Sequence, residues 1–226
     1  MAFKKNQPAM RQAGFKVSAD ELDLPVIYQV HRPTIGTTYI GTTAVGGTTS
    51  TQALVIKNAV LDYPRNIMYA VAGSNALGGT WTVNGKNQFG DTIQEVVTIA
   101  TIANGGTQSG TKIFAKVTSG TFSFISGSVG NGTPHLGPAY GTATTNRNKF
   151  GLPVKLGAAS DVKSIQWIDN ATVTTFAGGT YGTAITDGNI DLTNHSFSGT
   201  KIVAATDEFI VTVRSSYAAE ENYNLL

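Results

Sequence analysis

This 226-residue chain predicts an all-β fold, an antiparallel β-sandwich of Ig-like or jelly-roll-like kind. Three observations lead there. Apolar runs are short and rich in Val, Ile and Thr. Turn residues separate them at near-regular intervals, at Gly79-Thr80, Asn84-Gly85, Phe89-Gly90-Asp91, Gly105-Gly106 and Ser119-Gly120. No helix-length segment keeps a 3.6-residue period without Gly or several β-branched residues.

The elements follow in order. Residues 1–24 are polar with scattered Phe3, Met10 and Phe15, and read as an extended arm. Ser18 and Glu21 form a one-turn capping box that Pro25 ends. Val26 to Val30 is a strand, and the Thr- and Gly-rich Thr34 to Thr51 is a long irregular connection. Strands are expected at Ala53 to Leu61, Ile67 to Ala72, Thr80 to Val83 and Thr92 to Ile102. Two more are expected at Lys112 to Thr118 and Thr121 to Val129. In the Thr92 strand, Ile93, Val97 and Ile99 share a face with Glu95 while Val96 and Ile102 face the other way, which predicts burial on both sides. Asn84-Gly85 is the hairpin signal, with an extended or bulged connection over Gln88-Phe89-Gly90-Asp91. The organisation is therefore an arm and irregular segment over 1–51, a β-unit over 52–130, a Gly- and Pro-rich loop or linker over 131–149, and a second β region over 150–226. Ser109-Gly110-Thr111-Lys112-Ile113 recurs as Ser198-Gly199-Thr200-Lys201-Ile202, an echo that two related β-units or chance in a Thr/Gly-rich chain explains equally well.

Charged residues are 13% of the chain, about half the usual share of a soluble domain. Gly (26 residues), Thr, Ser and Asn fill the surface instead. Such a surface has little self-repulsion and suits packing against other protein. A net charge of +2 is too small to imply a general nucleic-acid partner. The charge is uneven, with Lys4, Lys5, Arg11, Lys16 and Arg32 at the start and Asp207, Glu208, Glu220 and Glu221 near the end. There are no cysteines, so disulfides and thiolate metal sites are excluded. The start lacks the apolar core of a secretory signal, and no apolar run reaches the ~20 residues of a membrane span. The expectation is a soluble protein made in the cytosol.

Chemistry is sparse. The chain has no P-loop, no nucleophile elbow and no zincin motif. Ser-x-x-Lys occurs at Ser109, Ser160 and Ser198 without its partner motifs. His31, His135 and His195 are far apart and have no paired ligand at local spacing. Asp187-Gly188-Asn189-Ile190-Asp191 imitates the start of a calcium loop, but Leu192 and Ser198 break the pattern, so a β-turn entering a strand is expected. Asp91 and Glu95 lie four residues apart on one strand, hence about 13 Å apart, too far for a glycosidase pair. They read as surface charges on a sheet. No catalytic residue, cofactor or metal is expected.

A family resemblance runs through the turns. Asp62-Tyr63-Pro64-Arg65-Asn66-Ile67, then Trp81-Thr82-Val83-Asn84-Gly85-Lys86-Asn87-Gln88-Phe89-Gly90-Asp91-Thr92-Ile93, then Thr111-Lys112-Ile113-Phe114, resembles a β-sandwich pattern of tailed-bacteriophage virion structural proteins. Phe150-Gly151-Leu152-Pro153 and the stretch from Gly199-Thr200-Lys201 to Val213 are similar to the second half of such proteins. The resemblance implies a capsid decoration (cement) protein on the capsid exterior, made in the host cytoplasm, bound to the major capsid protein and to copies of itself. It implies no membrane and no specific nucleic acid. Phe3, Lys4, Lys5, Arg11 and Phe15 are the partner-interface candidates. A tail or head–tail junction protein, or a receptor- or glycan-binding decoration, is the alternative.

Overall fold

The computed structural model describes residues 25–31, 36–43, 51–73, 78–100, 106–125, 132–139, 148–169, 172–177, 188–191, 196–199 and 208–214. Among them the all-β antiparallel expectation holds. The first strands are β1 (Pro25–His31), β2 (Gly41–Thr43), β3 (Thr51–Ile56), β4 (Val60–Arg65), β5 (Ile67–Ala72), β6 (Gly79–Lys86), β7 (Thr92–Ile99) and β8 (Gly106–Ser109). They are followed by β9 (Phe114–Phe124), β10 (Thr133–Pro138), β11 (Asn148–Gly151), β12 (Val162–Asp169), β13 (Thr172–Ala177), β14 (Gly188–Asp191), β15 (Ser196–Gly199) and β16 (Glu208–Arg214). A 3-10 turn, Ala159–Asp161, lies between β11 and β12.

The strands form two sheets. A small one runs β1–β16–β12–β13. In the larger one β9 is the hub: β6 and then β7 lie along one edge, while β4 and β3 share the other. From β3 the sheet continues through β2, β10 and β5 to β8, and from β4 it continues through β11 to β15 and β14. The path β7–β6–β9–β3–β2–β10–β5–β8 curls until β7 meets β5 and β8 again, so the sheet is nearly closed into a barrel.

The barrel interior explains which strands form. Alternate residues point inward: Ile67, Tyr69 and Val71 from β5, Trp81 and Val83 from β6, Phe122 and Phe124 from β9, and Leu136 from β10, all buried in one cluster. Phe122 stands between Trp81 (ring centroids 5.2 Å apart) and Phe124 (4.9 Å, edge-on), arrangements that add about 0.5–1.5 kcal/mol per pair beyond area burial. In the small sheet the buried Ile165 and Val162 of β12 oppose the buried Val211 and Val213 of β16.

Several expectations are corrected. The single strand over Ala53 to Leu61 is two, because Lys57 and Asn58 leave the ladder to donate their backbone N–H groups to the Ile40 carbonyl. The irregular connection over Thr34 to Thr51 contains β2. Ser119-Gly120 is no turn; it lies inside the eleven-residue β9, where bare Gly120 leaves room for Leu54 and Val83. Asn84-Gly85 is no turn either. Both residues lie in β6, and a Cβ on Gly85 would collide with the Lys116 carbonyl and the Phe114 ring. The hairpin turns instead at Asn87–Asp91, where the Asn87 side-chain oxygen accepts the N–H groups of Phe89 and Asp91, both at 2.9 Å, and Gly90 takes φ 85°. Burial on both faces of β7 does not occur: Ile99 is buried while Val96 is 58% exposed. Ser198-Gly199 belongs to β15, whereas its echo Ser109-Gly110 ends β8.

The expected loop over 131–149 contains β10 despite Pro134 and Pro138. The Leu136 carbonyl accepts from Ile40, and the Ala139 N–H donates to Asn66 beside β5. Even-numbered residues of β10 therefore turn their backbone groups toward β2, and odd-numbered ones toward β5. Of β10, only His135 and Leu136 pair with β2. The two prolines flank this short paired stretch, so neither ring nitrogen sits within the β2–β10 ladder.

Candidate functional site

Residues of the Asp62–Ile67 run meet three distant segments in space as a clasp. Asn66, between β4 and β5, donates its side-chain N–H to the Gly110 carbonyl (2.9 Å) and accepts the Lys149 N–H on its side-chain oxygen (2.8 Å). Its backbone N–H reaches the Lys149 carbonyl and its own carbonyl accepts from Ala139, while Gly110 N–H returns to the Ile67 carbonyl. One buried amide thus ties β5, the turn after β8, the end of β10 and β11. Arg65 is wholly buried beside it. Its guanidinium donates to the Ala139 carbonyl (2.7 Å), lies 3.4 Å from the Asp62 carboxylate, and stacks over the Tyr63 ring at 4.5 Å. The Tyr63 ring in turn meets Phe150 edge-on at 6.3 Å. Burial pushes the Tyr63 hydroxyl above its ordinary range, with Arg65 opposing and Asp62 assisting.

Glu95 is the second polar centre, and it corrects the reading of a surface charge. It is 6% exposed and points into the barrel. One carboxylate oxygen accepts the Thr111 N–H (2.6 Å), the Thr111 hydroxyl (3.1 Å) and the Lys112 N–H (3.1 Å); the other accepts the Tyr69 hydroxyl (2.8 Å). The donors come from a turn sixteen residues further along the chain, beyond the reach of local pattern. Lys112 Nζ also donates to the Gln94 carbonyl (2.7 Å). β7 is fastened to β5 and β8 here by side chains, with no backbone ladder between β7 and β8.

Outside the barrel, β7, β6, β9 and β3 present a face with three uncharged rows. Register sets Thr98, Thr80, Ser123 and Thr51 in one row, Val96, Thr82, Thr121 and Ala53 in the next, and Gln94, Asn84 and Ser119 in a third. The rows are knitted sideways: Gln94 donates to Asn84 (2.8 Å), Asn84 to Ser119 (3.1 Å), and the hydroxyl pairs Thr80/Thr98 and Thr51/Ser123 lie 3.2 and 3.1 Å apart. Neutral ladders replace the salt bridges that a sheet surface commonly carries, which accounts for where the missing charge went. Lys86 and Lys116 pair only at one end.

The interface candidates Phe3, Lys4, Lys5, Arg11 and Phe15 lie outside the described residues, as does His195. His135 is buried on β10, its Nδ1 3.0 Å from the Thr133 carbonyl. Gly188–Asp191 is strand β14. No cluster of three or more metal-binding side chains occurs among the described residues, and none of their helices is long and apolar enough to cross a membrane. The neutral face was missed from sequence. Its signal is period-two alternation whose off-core positions are uncharged up to Lys86 and Lys116.

No family model matches the chain, and neither a curated protein nor a solved structure does so.

Proposed function

We propose that this chain is a virion structural protein of a tailed bacteriophage, a capsid decoration protein that binds the major capsid protein lattice and stabilises the head. The observation that carries the reading is the set of three uncharged rows on the outer face of β7, β6, β9 and β3. Its side chains already hydrogen-bond one another, so burying it costs little desolvation of charge and little side-chain ordering.

Size decides how such a face would work. Four strands about 4.8 Å apart and about five residues long offer about 300 Å². A stable interface buries about 800 Å² per partner. One such face holds weakly, and retention on a shell comes from many copies acting together and from added contacts such as the basic arm. The separate runs that resemble virion proteins pack against one another: Arg65 pairs with Phe150 and with Phe114, and a Cβ on Gly151 would run into Ile113 and Gln88.

The test adds purified protein to particles that lack it and counts bound copies by quantitative mass spectrometry. The reading expects lattice stoichiometry and a higher temperature of DNA release. Val96→Glu and Thr82→Glu, at positions outside the core, are expected to leave the fold intact and remove binding. A copy number equal to a ring multiple would instead indicate a head–tail junction.

A further inference from the structure

The outer face of β5 carries a feature that the shell-binding reading does not use. Ala70 and Ala72 lie two residues apart on it. Register sets Thr107 of β8 and His135 of β10 on either side of Ala70, and Thr133 beside Ala72. Ala72 is exposed and Ala70, at the bottom, is 1% exposed, so two methyl-sized side chains between taller neighbours leave a trough that opens at Ala72. Thr37 and Thr38, in the turn before β2, wall it into a cavity of about 510 Å³, within the size range of small-molecule sites.

The polar groups in it have defined roles. His135 is 6% exposed and lines the cavity. Its Nδ1 lies 3.0 Å from the Thr133 carbonyl. A carbonyl only accepts, so Nδ1 carries the hydrogen, and in the neutral ring Nε2 keeps a lone pair. No described residue donates to that nitrogen. The threonine hydroxyls around it can each donate and accept.

We propose that this trough binds a single neutral sugar unit. No Lys, Arg, Asp or Glu is among the described residues that line it, so these residues offer a phosphate, a carboxylate or a cation no opposite charge. β5 is paired along both edges, by β10 and β8, so an extended peptide finds no open backbone ladder here. Recognition must come from side chains: hydroxyls that donate and accept, one imidazole acceptor, and a floor of methyl groups. A pyranose presents the matching set, a rim of hydroxyls and a C–H face.

The test uses the full chain, isotope-labelled, titrated with the methyl glycosides of galactose, glucose and N-acetylglucosamine while His135 ring and Ala70 and Ala72 methyl signals are followed. The expected result is saturable shifts at those signals with at least one glycoside, at millimolar affinity for so few contacts. Ala70→Leu, which fills the trough, weakens binding about tenfold or more, and Thr133→Val, which keeps shape and loses a hydroxyl, weakens it several-fold. No saturable shift with any of the glycosides overturns the proposal. So does equal affinity in the wild type and folded Ala70→Leu. Should Ala70→Leu not fold, unchanged affinity in Thr133→Val overturns it.

Discussion

The Tyr69 hydroxyl donates to the Glu95 carboxylate at 2.8 Å across the seam where the barrel nearly closes. Tyr69 stands on β5 and Glu95 on β7, two strands that share no ladder. The carboxylate then passes the connection on to the backbone of Thr111 and Lys112. Gly110 allows this approach, since a Cβ there would collide with Glu95.

Glu95→Ala leaves the Tyr69 hydroxyl and the Thr111 and Lys112 N–H groups without their acceptor. The expected cost is about 3–5 kcal/mol, read as a lower urea midpoint. Glu95→Gln keeps one carbonyl oxygen and should cost about half as much. If Glu95→Ala unfolds at the wild-type midpoint, the seam is not held by this group.

Alkaline stability follows from the two buried tyrosines. Burial raises the Tyr69 hydroxyl well above its ordinary value of 10.0, and Glu95 adds to the rise through its charge and its hydrogen bond. Tyr63 is raised in the same direction by burial. In the unfolded chain both ionise near pH 10, while in the folded protein they stay protonated. The folded state thus binds more protons above pH 10, and stability falls as pH rises from there through the folded values, by up to about 1.4 kcal/mol per pH unit for each tyrosine. Below pH 10 this contribution is flat. The tyrosinate absorbance of these two residues should appear together with loss of β-sheet circular dichroism. Tyr69→Phe should shift the alkaline transition upward relative to its own neutral-pH stability.

Asn66→Ala breaks both side-chain bonds of the clasp, to Gly110 and Lys149, and leaves a buried carbonyl and a partly buried N–H unmatched. A loss of about 2–4 kcal/mol is expected by thermal or urea unfolding. Asn66→Asp keeps the acceptor for Lys149 and sets a carboxylate oxygen against the Gly110 carbonyl. It should therefore be at least as damaging.

Two glycines of one hairpin should respond differently to alanine. Gly90 has φ 85° with open space around it, so Gly90→Ala pays only for the left-handed backbone, about 1 kcal/mol, and Gly90→Asn less. Gly85 sits against the Lys116 carbonyl and the Phe114 ring, so Gly85→Ala must move β9 and should cost about 2–3 kcal/mol. Equal midpoints for the two variants would contradict this ordering.

The parts of the fold that were readable are those set by short-range pattern. Ile67 to Ala72 is a strand with the bounds its residues suggest, because five of its six residues are buried and their composition admits little else. The 93, 95, 97, 99 face of β7 was readable from alternation alone, but the burial of Glu95 was not, since its partners are Tyr69 on an earlier strand and the Thr111–Lys112 turn. β10 was hidden by two prolines, which are tolerated because its pairing with β2 is only two residues long and lies between them. Asn84-Gly85 and Ser119-Gly120 misled because a glycine that makes room for a neighbouring strand looks, in sequence, the same as one that makes a turn. The trough on β5 needed the register of three strands to bring Ala70, Thr107 and His135 into one row.

Pairing of β1 with β16 sets Pro25 opposite Arg214, and this fixes the order of events at the ribosome. The strands of the barrel lie between residues 41 and 138 and can close while translation continues. β1 emerges before any of them, and among the described strands it pairs only with β16, so it waits until residue 214 is out, about 9 s or more at about 5–20 residues per second. Through that interval it is an open edge, and on a polysome its nearest complement is the β16 of the nascent chain ahead. Exchange of that strand between successive copies is the characteristic error this topology invites, and slower expression at lower temperature is the condition that should suppress it.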